Sequence, residues 1–311
     1  MPLCRRWCAL AALLTVFLPA LHAWDNEGHM TVAYLAYQQL SDPVRARIDT
    51  LLKLNPYYKQ WLAAVPAGTS AADSSRIIFM MAATWPDQIK QDSRYQNDGD
   101  NPGGPKTSRN IGYADKLQHR YWHFVDNPFS PDGTTLTPLP APNAGTQIGV
   151  FRQVLASNAA DPLKSYDLVW ILHLVGDVHQ PLHAATRFTK TQPHGDAGGN
   201  AVRLCADPCK DKLHGFWDDV LGTANDSASV IALAGTLPAP NLALVNITSQ
   251  TTWIDESFQA AKSSVYVPPV GIGGGPFTIT PMYRTAAQDL AAQRVALAGA
   301  RLGNLLQKEL K

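Results

Sequence analysis

Cysteine is scarce in this 311-residue chain. Of the four, Cys4 and Cys8 fall within the first 23 residues, which leaves Cys205 and Cys209 for the rest. Without a second pair, a thiolate-built zinc site has too few ligands. A short-loop disulfide between Cys205 and Cys209 is the expectation in an oxidising compartment, with free thiols as the alternative. An excess of one charge sign is also missing: 26 Lys and Arg stand against 25 Asp and Glu, a net charge of +1. That is not the basic footprint of a duplex-binding protein. If the substrate is a nucleic acid, bound cations must supply much of the field, since the sequence charge does not count them. After the run Ala9–Ala20 no apolar stretch reaches the length of a membrane span. Period-two strand patterning is rare, and Ala201–Cys205 is the best short candidate.

What is present begins at the N-terminus. Residues 1–23 read as an export signal: Arg5 and Arg6, the apolar run, then Leu21-His22-Ala23. Cleavage after Ala23 would make Trp24 the new terminus, and the loss of two arginines would tip the balance slightly negative. The expected product is a secreted or periplasmic monomer with a single domain over 24–311, long enough for an ample core.

Helical patterning dominates that domain, so the expected fold is all-α with long loops. Thr31–Leu40 and Val44–Leu54 form a helical pair broken at Ser41-Asp42-Pro43. Ser74–Lys90, Ile148–Ala156, Leu163–Val178 and Pro281–Glu309 follow. Gln91–Asn110, Asn127–Gln147 and Tyr266–Thr280 are rich in Pro, Gly, Ser, Thr or Asn and read as surface loops.

Metal-ligand residue types recur in short groups. In His173-Leu174-Val175-Gly176-Asp177 the imidazole and carboxylate are four apart, one helical turn, and can share a metal. Pro181 should bend the chain and free His183 to turn toward the same cleft, while His179 should face away. His214 and Asp218 repeat the spacing of four. Trp122-His123-Phe124-Val125-Asp126 and Trp85-Pro86-Asp87 add further His and Asp in aromatic settings, and Trp24 with His29 brings the candidate ligands to nine. A processed Trp24 would offer its α-amine and carbonyl oxygen as a five-membered chelate. Imidazole and carboxylate without thiolate suit zinc, and nine ligands suit a cluster better than one structural ion.

From Trp24 to Asp218 these motifs, in this order, resemble the S1/P1 nuclease family, zinc-dependent enzymes of mostly helical fold. The resemblance implies a phospholipase C/P1 nuclease-like catalytic domain with three Zn²⁺ at the bottom of a cleft. Asp87, His123, His173 and Asp177 would hold the first; Trp24, His29 and the shared Asp177 the second; His183, His214 and Asp218 the third. Asp87 and Lys90 would be catalytic, one orienting the nucleophile and the other facing the phosphate. Phe124 would stack on a base and Asp126 would bond it. The implied substrates are single-stranded RNA and DNA, cut to 5′-phosphate products, and 3′-nucleotides. His194 and Asp196, in a longer segment than the family pattern has, are not expected to be ligands. Two alternatives remain. A zinc phospholipase C shares an N-terminal Trp, but the short Trp24–His29 interval and Asp218, where phospholipases place Glu, favour the nuclease. A non-catalytic exported zinc-binding protein would hold metal and turn nothing over.

Overall fold

The computed structural model describes residues 24–101, 103, 107, 109–137, 141–206 and 211–310. The expected leader and Cys209 lie outside the described residues.

Helices begin where the sequence supplies caps. Asp25 accepts from the Asn26 amide at the head of α1 (Asn26–Gln39), and Pro43 sits in the first turn of α2 (Asp42–Leu52). After α3 (Tyr58–Ala64), Ser70 caps α4 (Ala71–Ala82). A single turn, α5 (Trp85–Gln88), precedes α6 (Ala144–Leu155), which carries a reciprocal Asn143–Thr146 capping box. Then come α7 (Asp161–Asp177), α8 (Leu213–Asp218), α9 (Ser227–Thr236), α10 (Leu242–Val245), α11 (Gln250–Ala260) and α12 (Pro281–Glu309). No helix of the described residues is long and apolar enough to cross a membrane.

The all-α expectation holds, with three local corrections, the first being that the expected loop Asn127–Gln147 begins as a strand at Asn127–Phe129 and ends in the first turn of α6. Ala201–Cys205 is not a strand; Arg203 makes only an isolated bridge to Lys212. The strands are β1 (Asn127–Phe129) and β2 (Ala185–Arg187), paired in parallel with Asn127 opposite Ala185 and Phe129 opposite Arg187. Three residues are too few to show a period, and β2 is buried throughout, so neither strand alternates. The stretch 74–90 is not one helix. Pro86 has no N–H to give to the preceding turn, so α4 stops at Ala82 and the chain restarts at Trp85.

The core is built around α7, which is buried from Ser165 to Asp177 without interruption. An all-round apolar helix of this kind belongs in the middle of a fold, not on its surface. α1, α2, α5, α6 and α12 pack against it. Three tryptophans clamp the ligand-bearing segments to it. Trp85 meets Trp170 edge to face at 6.1 Å between ring centroids, and Trp122 meets Trp170 at 5.0 Å. Each fully buried ring contributes about 4–6 kcal/mol of gross apolar stabilisation before entropy is subtracted. Because Trp85 lies two residues before Asp87, Trp122 immediately before His123 and Trp170 three before His173, this packing also delivers all three ligand candidates to one place.

Candidate metal centre

His173 and Asp177 occupy successive turns of α7, as their spacing predicts, and both are fully buried. His173 Nδ1 donates to the Ala83 carbonyl oxygen at 2.8 Å. That oxygen is open because the residue three further on is Pro86 and the Asp87 amide turns to Thr84 instead. The bond fixes the tautomer, leaving His173 Nε2 as a lone pair facing His123 Nδ1 at 2.9 Å and Asp177 Oδ2 at 3.3 Å. Asp87 Oδ1 lies 3.8 Å from both imidazoles. On the other side His29, on α1, stacks on His173 at 3.8 Å and places Nε2 3.3 Å from Asp177 Oδ1. Asp177 therefore turns one oxygen to each side. Gly176 is required beside it, since a Cβ there would lie 2.9 Å from His29 Nδ1.

The second group is assembled by the ladder. β1 and β2 continue backward as hydrogen bonds, with the Val125 amide donating to the His183 carbonyl oxygen at 2.8 Å. His183 Nδ1 in turn donates to the His123 carbonyl oxygen at 2.7 Å. His214, at the start of α8, donates its Nδ1 to the Gly198 carbonyl oxygen at 2.7 Å. Both Nε2 atoms are thereby left as acceptors, and they face each other at 3.1 Å, with Asp218 Oδ2 3.6 Å from His214 Nε2. Gly198 holds a positive φ of 60°, and a Cβ on it would lie 2.5 Å from the Leu182 carbonyl oxygen.

Two lone pairs aimed at each other at 3.1 Å repel unless a cation lies between them. This is the test of whether the residues fit a metal, and they pass it. Tetrahedral zinc with ligands at 2.0–2.1 Å would separate its donors by roughly 3.3 Å; the pairs described above lie 2.9 to 3.8 Å apart, and all donors of each group lie within 4.8 Å of one another. Among the described residues three groups meet this condition: His29, His173 and Asp177; Asp87, His123 and His173; His183, His214 and Asp218. His123 Nε2, His29 Nδ1 and Asp177 Oδ1 are buried without a hydrogen-bond partner, which water-free packing would not tolerate for nothing.

Burial governs the electrostatics. It pushes the Asp177 carboxyl up to about 7, against the pull of the nearby His29. It drives Asp218 well above the usual carboxylate range, and His123, His173 and His183 well below the usual imidazole range. The bare cluster thus favours neutral groups, and a divalent cation would reverse that preference.

A cleft of about 310 Å³ opens onto two of the three groups, touching His123, His183 and His214. Lys90 lines it and pairs with Asp87 at 2.6 Å, both side chains almost wholly buried. Phe124 and Asp126 line it too, Phe124 half-buried against the core and Asp126 in the left-handed region at φ 53°. Burial first, then the nearby Asp196, pushes the Asp126 carboxyl well up. Trp24 is buried with its indole donating to the Gly176 carbonyl oxygen at 3.1 Å, beside His29 and Asp177. The Asp25 amide bonds the Asp218 carbonyl oxygen at 3.1 Å, so the residues after Trp24 reach the far group as well.

The structure thus brings every expected ligand side chain to one buried floor. His179 does point away, toward Arg301, and Asp196 serves Arg187 and Gly199 instead of a metal group. Sequence reasoning missed Gln180, whose Nε2 orients Asp218 at 2.7 Å and whose Oε1 caps the Leu182 amide. It also missed the carbonyls of Ala83 and Gly198. A signal was present in each case: a Gln between His179 and Pro181, a Pro after Trp85, and a Gly-Gly turn.

Among the described residues, the helical fold gathers three buried His and carboxylate groups that could each hold a metal ion. The family model described as S1/P1 Nuclease matches residues 24–311, and the chain belongs to that family. It is 23% identical to Endonuclease 4 of Arabidopsis thaliana over 226 residues, 70% of this chain and 61% of that protein. It is 23% identical to Nuclease S1 of Aspergillus oryzae, over 68% of this chain and 59% of that protein, and 24% identical to Endonuclease 2 of Arabidopsis thaliana, over 78% and 71%. The chain therefore spans about three fifths of the length of the first two of these relatives.

Proposed function

We propose that the protein is an exported zinc-dependent endonuclease that hydrolyses single-stranded RNA and DNA to 5′-phosphate products and also removes the phosphate of 3′-nucleotides. The observation that carries this reading is the facing pair of His183 and His214 Nε2 atoms at the floor of the cleft, beside the group that shares Asp177. Three zinc ions are the proposed complement, held by the three groups described, with Trp24 adding its amine and carbonyl once residues 1–23 are removed.

Bound zinc would supply a Lewis acid for the phosphoryl oxygens and lower the pKa of a water from 15.7 toward roughly 7. The rest of the chemistry belongs to the chain. Asp87, held by Lys90, orients the attacking water in line with the leaving 3′-oxygen. Lys90 offsets negative charge that grows on the phosphoryl group in the transition state. Phe124 offers a ring face to a base, and the Asp126 carboxyl is placed to hydrogen-bond that base. A base must leave its own stack to reach Phe124, which favours single strands. The Cys205–Cys209 bridge is proposed as a brace for the segment leading to His214.

Metal analysis of the protein beginning at Trp24, paired with assays on single-stranded and duplex DNA of one sequence, tests the reading. Three zincs per chain and preferential cutting of the single strand are expected. Chelation should abolish activity and Zn²⁺ restore it. A zinc-loaded protein that cuts neither DNA nor RNA would leave it a metal-binding protein only.

A further inference from the structure

One cation on the cleft wall has no part in the chemistry above. Arg47, Arg94, Arg152, Arg187, Arg294 and Arg301 each meet a carboxylate. Arg120 does not: among the described residues no carboxylate lies within 4.0 Å of its guanidinium. It is half-buried and lines the cleft with Lys90, His123 and Phe124. Its side-chain partner is neutral. Arg120 Nε donates to Gln118 Oε1 at 3.0 Å.

Gln118 is itself 4% exposed, and its amide orientation is forced. Nε2 donates to the Lys90 carbonyl oxygen at 3.1 Å and to the Tyr95 carbonyl oxygen at 3.4 Å, so Oε1 must face Arg120. A buried amide thus joins the backbone of Lys90 to the guanidinium of Arg120 and holds two cations at fixed places on one wall. Lys90 is committed to Asp87 beside the metal groups. Arg120 sits on the outer side of Gln118, with the forked ends of its guanidinium free of carboxylate. A planar fork positioned through a single nitrogen by a neutral group is suited to an incoming phosphate. Asp100 shares this wall and would repel a bare polyanion, so the guanidinium charge is what makes the wall receptive.

We infer that Arg120 binds a backbone phosphate next to the scissile one, so that the cleft prefers a polynucleotide strand to a substrate carrying a single phosphate. The inference rests on the nuclease reading and extends it from chemistry to substrate length.

The test compares a dinucleoside monophosphate, TpT, with single-stranded pentathymidylate, using zinc-loaded wild-type protein, Arg120→Ala and Arg120→Lys. In Arg120→Ala the ratio of kcat/KM for the pentamer to that for TpT should fall about tenfold, through KM, as loss of a charge-assisted contact predicts. The slope of log kcat/KM for the pentamer against log salt should flatten by about 0.7, the equivalent of one single-strand phosphate contact. Arg120→Lys should recover part of both. Should Arg120→Ala fail to fold, Arg120→Gln keeps the stem without the charge and reads the same ratio. An unchanged ratio, whether from equal losses on both substrates or from none, overturns the assignment and leaves the nuclease reading standing. Wild-type protein inactive on both substrates refutes the nuclease reading and takes the assignment with it.

Discussion

Each oxygen of Asp177 faces a different side of the cluster, Oδ1 toward His29 and Oδ2 toward His123 and His173. Asp177→Asn keeps the shape and removes the charge that two ions would share. Elemental analysis should show the loss of two metals, not one. Changes to groups merely supporting a ligand already cost 10–100-fold, so activity should fall by at least about 100-fold. Three zincs in an active variant would end the bridging role. With the carboxyl pushed up to about 7, loading must also displace a proton below that pH. Zinc affinity should therefore drop by about tenfold per pH unit between pH 7 and pH 5, measured by competition with a chelator. A flat profile would mean that Asp177 is ionised without metal. Phe124 carries a different load. Phe124→Ala should leave metal content intact and raise KM roughly tenfold to a hundredfold, the scale of one base stacked on one ring. Unchanged kinetics would make it a core residue only.

The break between α4 and α5 makes an active-site part out of a helix defect. Pro86 has no N–H to give and the Asp87 amide turns to Thr84, so the Ala83 carbonyl has no helical partner and His173 takes it. Pro86→Ala would let the helix run on and recapture that oxygen. Helix propensity should improve while His173 loses the bond that fixes its tautomer, so zinc affinity should fall about 10–100-fold with no loss of thermal stability. Equal affinity in both proteins would show that the bond is incidental. The same break marks the limit of what the sequence disclosed. His173 with Asp177 and His214 with Asp218 were legible because a helix turns spacing into a shared face, and α12 was read to the residue. The α4–α5 split was readable in principle from Pro86 but was hidden by continuous apolar spacing. β1 and β2 were not readable, because their pairing is set by distant segments and each is too short for a period. α9, rich in Ala and Ser, shows no apolar stripe in sequence; its packing on α1 is a tertiary fact.

At the scale of the whole molecule, the cost of a fully buried central helix falls on Asp167. It is wholly buried in α7, held at Oδ2 by Asn110 at 2.8 Å, and burial pushes its carboxyl up to about 8. The folded protein then keeps a proton that the unfolded chain releases near pH 4. Stability from this group is full below about pH 4, falls by about 1.4 kcal/mol per pH unit, and is lost above about pH 8. Asp167→Asn removes the titration. At pH 8 it should be more stable by an amount on the order of a few kcal/mol, with little change at pH 4, as read from urea unfolding. Parallel pH profiles for the two proteins would assign the alkaline loss to other groups.

The metal groups are coupled to one another through the main chain. His183 Nδ1 donates to the main chain of His123, so a ligand of one group is held upright by the residue that supplies a ligand to another. Gln180 and the Asp25 amide tie Asp218 into the same frame. An ion entering either side would steady the scaffold that the next ion needs, and an ion leaving would loosen it. Filling should then be cooperative, with protein carrying one or two ions sparse at every stage of a titration followed by native mass spectrometry. The cleft floor would behave as a single unit that is either complete or dark.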